Sequence, residues 1–186
     1  MRWRTLNGMA ACALALGTLG AAHAADNILV NGSFESGLAS WTTRGFILEG
    51  YDYGVGDIAH SGSSAFYGGG IGGLAYLNQS VMTSVGQTYD VSFWLYSDGY
   101  LPNRLQVLAD GAVRYDLEDV KLQDFTRVTT TFTATQTLTQ LQFGLRNDAG
   151  ALRLDSITVT AVPEPGTYAL MALGLGALAL MRRRLG

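Results

Sequence analysis

In 89-YDVSFWLYS-97, Tyr89, Val91, Phe93 and Leu95 fall on one side of an extended chain and Asp90, Ser92, Trp94 and Tyr96 on the other. Side chains of a strand point to opposite faces with period two, so this segment predicts a strand with one face against a core. The same alternation recurs in 125-FTRVTTTFTA-134, 138-LTQLQFGLR-146 and 152-LRLDSITVT-160. Between 104-RLQVLA-109 and 112-AVRYDL-117 stands Asp110-Gly111, a pair that tolerates the left-handed conformation a two-residue hairpin turn requires. No sustained 3.6-residue period occurs outside the two ends, and no internal repeat is present. Roughly ten short strands with glycine-rich breaks such as 68-GGGIGG-73 predict an all-β fold, an antiparallel jelly-roll β-sandwich.

The two ends differ in kind from this body. Residues 1–24 carry Arg2 and Arg4, an apolar stretch and small residues closing on Ala22-His23-Ala24, the anatomy of a cleaved secretory signal peptide. Cys12, the single cysteine, leaves with it, so the body 25–161 has no disulfide. Within that body fourteen Asp and Glu oppose seven Lys and Arg, a net charge of −7 that would repel nucleic acid. The C-terminal segment 162-VPEPGTYALMALGLGALALMRRRLG-186 has an apolar run and then Arg182, Arg183 and Arg184. From Ala169 to Met181 that run, read as a helix, spans roughly 20 Å of a hydrocarbon layer about 30 Å thick. It is short for a permanent anchor. The arginines are expected to stay cytoplasmic, placing the body across the membrane.

The order of Pro163-Glu164-Pro165, apolar helix and arginine cluster resembles the PEP-CTERM sorting tail of Gram-negative bacteria. The resemblance implies that an exosortase reads Pro163, Glu164 and Pro165, cuts nearby and passes the body to the cell envelope. Arg182, Arg183 and Arg184 would hold the chain in the membrane until then. An ordinary tail anchor is the alternative. The expected organisation is therefore a signal peptide over 1–24, a sandwich over 25–161 and a sorting tail over 162–186. The product would be exported across the inner membrane, briefly anchored, and delivered to the cell surface or beyond.

The body resembles jelly-roll carbohydrate-binding modules of the galactose-binding-like fold. The matching pieces are 27-NILVNGSFESGLASWT-42, 60-HSGSSAF-66, 76-YLNQSV-81 with 86-GQTYDVSFWLYS-97, and 154-LDSITVT-160. Phe34 and Trp41 are expected in the core. Glu35 follows Phe34 directly, so its carboxylate must be paired, metal-bound or exposed. The resemblance implies a structural Ca²⁺ on Glu35 and Asp155, which backbone carbonyls would complete; solvated carboxylates are the other reading.

Catalysis has little support. His60 is the only histidine of the body, Asp57 and Ser61 beside it lack a nucleophile elbow, and nothing pairs two acids as glycoside hydrolysis requires. No cysteine–histidine cluster offers zinc and 68-GGGIGG-73 lacks the lysine of a phosphate loop. A polysaccharide-binding module and a structural envelope or matrix protein remain, with a glycan-active enzyme as a remote third class. For the binding class the expected platform is Trp94 and Tyr96, with Arg104, Gln142 and Arg146 on the same outer face.

Overall fold

A computed structural model describes residues 26–148, 150–163, 173–176, 178, 181 and 182. The signal segment 1–24, Glu164, Pro165, Arg183 and Arg184 lie outside the described residues, so the expectations placed on them have no structural counterpart. Among the described residues no helix is long and apolar enough to cross a membrane.

The strands are β1 (Thr42–Arg44), β2 (Tyr53–Gly56), β3 (Ala65–Gly68), β4 (Ala75–Met82), β5 (Thr88–Ser97), β6 (Asn103–Ala109), β7 (Ala112–Glu118), β8 (Gln123–Thr133), β9 (Leu138–Asn147) and β10 (Leu152–Ala161). They form two five-stranded sheets, β1-β4-β9-β6-β7 and β2-β3-β10-β5-β8, antiparallel throughout. The expected all-β sandwich is what the chain forms.

The alternation in β5 resolves as read: Tyr89, Val91, Phe93 and Leu95 are buried while Asp90, Ser92, Trp94 and Tyr96 look outward. Leu141, Phe143 and Leu145 of β9 meet them from the facing sheet, with Phe93 and Phe143 edge to face at 5.4 Å between ring centroids. Asp110 and Gly111 turn the β6–β7 hairpin with φ of 49° and 77°, and Ala109 pairs with Ala112.

Residues 31–40 form a knot of turns ahead of β1. Asn31 holds it, its amide donating to the carbonyls of Gly37 and Ala39 and its Oδ1 accepting from Ser36 N–H. This knot delivers Phe34 and Trp41 to the core, stacked at 5.4 Å, and leaves Glu35 exposed.

Because neighbouring strands are antiparallel, connections after odd-numbered strands gather at one end of the sandwich. Backbone bonds such as Gly69 N–H to Asp52 O and Asp148 N–H to Pro102 O tie those loops together. Both chain ends leave from the opposite end, where Asn27 pairs with Thr160 and Val162 N–H reaches Thr88 O.

Candidate functional site

The five expected platform residues do not share a face. Trp94 and Tyr96 stand on the outside of β5, whereas Arg104 on β6 and both Gln142 and Arg146 on β9 stand on the outside of the other sheet. Period two tells which residues of one strand travel together, not which sheet that strand joins. Here β5 pairs with β8 and β10, while β6 and β9 pair with each other and with β7 and β4.

The β5 side is already occupied. His60, carried over from the loop between β2 and β3, stacks on Trp94 at 3.6 Å and 13° between ring planes. Phe125 packs edge-on to His60 and tilted to Tyr96, and the Arg153 guanidinium lies over Tyr67 and Tyr96. Trp94 therefore presents no free stacking face on its His60 side.

The loop carrying His60 is held by the two carboxylates expected to bind calcium. Asp155, fully buried, accepts the N–H groups of His60 (2.8 Å) and Ser61 (2.9 Å) on Oδ2 and that of Ser156 on Oδ1. Glu35 accepts from Ser63 N–H and Ser64 N–H on Oε1, both at 2.9 Å, and from Ser63 Oγ on Oε2 at 2.7 Å. The Ser63 hydroxyl, followed by these N–H groups, holds the Glu35 carboxyl below its ordinary range. Carboxylate oxygens suit a hard cation, although those of Glu35 and Asp155 already accept backbone N–H groups. Yet among the described residues no group of three His, Cys, Asp or Glu side chains assembles, so carbonyls would have to complete any coordination.

The outer face of β1-β4-β9-β6-β7 is different. Asn78 and Gln106 point outward from it but are only 7% and 9% exposed, bonded to the side chains of Gln142 and Asp116. A hollow of 460 Å³ opens there, lined by Arg44, Gly45, Leu74, Tyr76, Leu108 and Gln142. Its polar groups are fixed in place. Gln142 Nε2 donates to Asn78 Oδ1 at 3.1 Å, and Asn78 Nδ2 to Thr42 O at 3.2 Å. Arg104 forks onto Asp116 through Nε (2.9 Å) and Nη2 (2.6 Å), reaches Glu118 at 3.1 Å, and Gln106 Nε2 joins Asp116 at 2.8 Å. Arg146 forks onto Asp148 in the same way. These guanidiniums hold the carboxyls of Asp116 and Asp148 below their usual range, so both remain ionised acceptors and poor proton donors. Arg44 has no ion-pair partner among the described residues.

Tyr76, Asn78 and Arg44 were not among the expected site residues. The alternation of 76-YLNQSV-81 does place Tyr76, Asn78 and Ser80 on one face, a signal present in the sequence. Arg44 sits in a three-residue edge strand too short to show a period.

Residues 26–148 match the family described as carbohydrate binding domain, and residues 161–184 match the PEP-CTERM protein-sorting motif. A comparison with curated proteins finds no match. Solved structures with the same fold include TmCBM61 in complex with β-1,4-galactotriose, 20% identical with TM-score 0.58, covering 74% of this chain and 99% of that one. Another is the CBM22-1 xylan-binding domain of Xyn10C from Paenibacillus barcinonensis, also 20% identical with TM-score 0.58, covering 77% and 99%. The K1 cleaved adhesin domain of Lys-gingipain from Porphyromonas gingivalis is 19% identical with TM-score 0.55, covering 70% and 96%.

Proposed function

This chain belongs to the carbohydrate binding domain family and ends in a PEP-CTERM sorting motif, and from that premise we propose that it is an exported, non-catalytic protein holding polysaccharide on the outer face of β1-β4-β9-β6-β7. The observation that carries the reading is the hollow lined by Arg44, Leu74, Tyr76, Leu108 and Gln142 on the face that also holds the buried outward amides of Asn78 and Gln106. Outward amides that are buried and cross-linked lose little freedom on meeting a ligand, so their hydrogen bonds to sugar hydroxyls are preorganised. Tyr76 supplies an aromatic surface at the hollow, Gln142 and Arg44 supply donors, and Arg104 and Arg146 hold acceptor carboxylates ready. Asp116 on this face is tied to Arg104 and Gln106, which makes it a poor proton donor.

Linear β-1,4-linked galactan and xylan are the first probes, because relatives in fold are described with galactotriose and as xylan-binding. Tyr76→Ala should weaken retention on the bound polysaccharide about tenfold or more, as a central aromatic contact does. Its melting temperature should stay near that of the parent protein. Trp94→Ala should leave retention unchanged. The reverse pattern would return the site to the β5 face, and loss in neither variant would leave a structural envelope protein.

The sorting part of the proposal concerns both ends. Removal of 1–24 and exosortase cleavage near Pro163-Glu164-Pro165 would leave the sandwich, 25–161, as the delivered unit, with the tail in the membrane only before processing. Intact-mass measurement of protein from the native envelope should show both segments gone; a mature form that keeps residues 169–186 would make the tail a simple anchor. Calcium on Glu35 and Asp155 is also part of this reading. Their convergence on loop 60–64 supports it, and the ion would add a cross-link between the turn knot and the last strand.

A further inference from the structure

Beyond β10 the chain is held for one more residue. Val162 N–H donates to Thr88 O at 2.9 Å, and Gln87 Nε2 donates to Val162 O at 2.7 Å and to Thr88 O at 2.9 Å. The body is therefore fixed up to the residue before Pro163, and only residues 163–168 separate it from the apolar run that begins at Ala169. Fully extended, a segment of that length reaches at most about 20 Å.

Nearly all of that reach is taken up inside a bilayer. The run, read as a helix, spans roughly 20 Å of a hydrocarbon layer about 30 Å thick. With Arg182, Arg183 and Arg184 at the cytoplasmic boundary it ends about 10 Å short of the far one, and the headgroup layer beyond adds about 6 Å. A chain held by its tail thus has this end of the sandwich against the headgroups.

The surface there suits the position. Met82, Val85 and Leu138 project from it, 71%, 64% and 52% exposed. Met82 and Leu138 are partners in the β4–β9 register, and Val85 lies in the β4–β5 loop whose Gln87 holds Val162. Gly86 N–H to Ala134 O and Thr83 N–H to Thr137 O join that loop to the β8–β9 loop. Neither 83-TSVGQ-87 nor 134-ATQTL-138 contains a charged residue, in a body where acids outnumber bases. Asp110 and Asp90 are set back from these tips, Asp110 level with Gln140, whose N–H it accepts, and Asp90 two residues along β5 from Thr88. Anionic lipid repels an acidic surface, so an uncharged end with apolar tips is the part of this body that can touch it.

We infer that Met82, Val85 and Leu138 form a membrane seat, resting the sandwich on the lipid surface that the tail enters. The seat presupposes that the tail enters the membrane, as proposed above. It holds Pro163-Glu164-Pro165 at the level of the headgroups, within reach of a membrane-bound sorting enzyme. Three side chains alone make a weak and reversible contact, so cutting the tail releases the body.

The test takes the tail-bearing chain from membranes of cells without the sorting enzyme, with Cys12→Ser so that an introduced cysteine is unique. A fluorophore is placed on Val85→Cys or, at the opposite end, on Tyr51→Cys. Each chain is reconstituted into vesicles of phosphatidylethanolamine with phosphatidylglycerol, part of the lipid carrying a nitroxide quencher at the headgroup. The label on Val85→Cys should lose most of its fluorescence and become inaccessible to iodide in the water, whereas that on Tyr51→Cys should change in neither respect. With the label moved to Leu138→Cys, Met82→Asp combined with Val85→Asp should restore its fluorescence without detaching the chain from floated vesicles. Both substituted positions are exposed, so the fold does not depend on them. A floating chain whose Val85→Cys label stays as bright as that on Tyr51→Cys overturns the seat and leaves the tail reading standing. A chain that does not float overturns both. Protection from iodide without quenching by lipid would put a second copy on the patch and overturns the seat, as does indifference to the double substitution. Uncut Pro163-Glu164-Pro165 in the native envelope, with the Val85→Cys label quenched, would count against the sorting reading alone.

Discussion

Phe143→Ala should unfold the sandwich at temperatures where the parent protein is intact, costing about 3–5 kcal/mol. Phe143 is fully buried on β9 and meets Phe93 of the facing sheet at 5.4 Å and Trp41 at 6.2 Å, both edge to face. Truncation removes both aromatic contacts and leaves a cavity where the rings of Phe93 from β5, Phe143 from β9 and Trp41 meet. At roughly 2–4 °C per kcal/mol for a domain of this size, thermal unfolding followed by circular dichroism should shift by about 6–20 °C. Gln142 precedes Phe143 on the same strand, so polysaccharide retention should fall with the fold, not separately from it. Phe143→Leu, which keeps most of the volume, should cost less than half as much. A loss below about 1 kcal/mol for Phe143→Ala would mean that the sheets are not held together through this ring.

The ring pair at Phe93 and Phe143 was legible beforehand, because alternation in 89-YDVSFWLYS-97 and 138-LTQLQFGLR-146 assigns each phenylalanine to its inward set. The hairpin at Asp110-Gly111 was legible for a similar local reason: φ is set by the two residues themselves. Sheet membership was not. Whether Gln142 and Arg146 neighbour Trp94 or face away on the far side of the molecule depends on pairings between strands about fifty residues apart, and no local period records them. His60 on Trp94 was hidden for a second reason. A loop histidine carries no pattern of its own, and its position follows from Asp155 capturing two backbone N–H groups ninety-five and ninety-four residues away. Tyr76 and Asn78 were available in 76-YLNQSV-81, yet polar outward residues in a strand are usually solvated. The low exposure of Asn78 and Gln106 and the hollow beside Tyr76, both properties of the assembled sheet, distinguish this face from an ordinary surface.

Asp155→Ala should be the most damaging polar substitution, lowering stability by about 2–4 kcal/mol. The carboxylate is fully buried and accepts from His60, Ser61 and Ser156, so alanine leaves three N–H groups without their acceptor. Each unpaired buried donor costs about 1–3 kcal/mol, and the total stays below the sum because water reaches the exposed His60 and Ser61 once the loop loosens. Loop 60–64 is still held by Glu35 at Ser63 and Ser64, which keeps the chain near the surface but frees the His60 ring from Trp94. Trp94 fluorescence should then shift toward the solvent-exposed range while the melting temperature falls. The same protein decides the calcium proposal. An ion bound only by the folded state at about 100 times its Kd stabilises by about 2.7 kcal/mol, so chelation should lower the melting temperature of the parent protein by several degrees. In Asp155→Ala that sensitivity should vanish, since one of the two carboxylates is gone. A parent protein indifferent to chelator removes calcium and leaves the N–H bonds as the whole of the clamp. A variant that melts within a degree of the parent removes the clamp as well, and with it the reason why His60 covers Trp94.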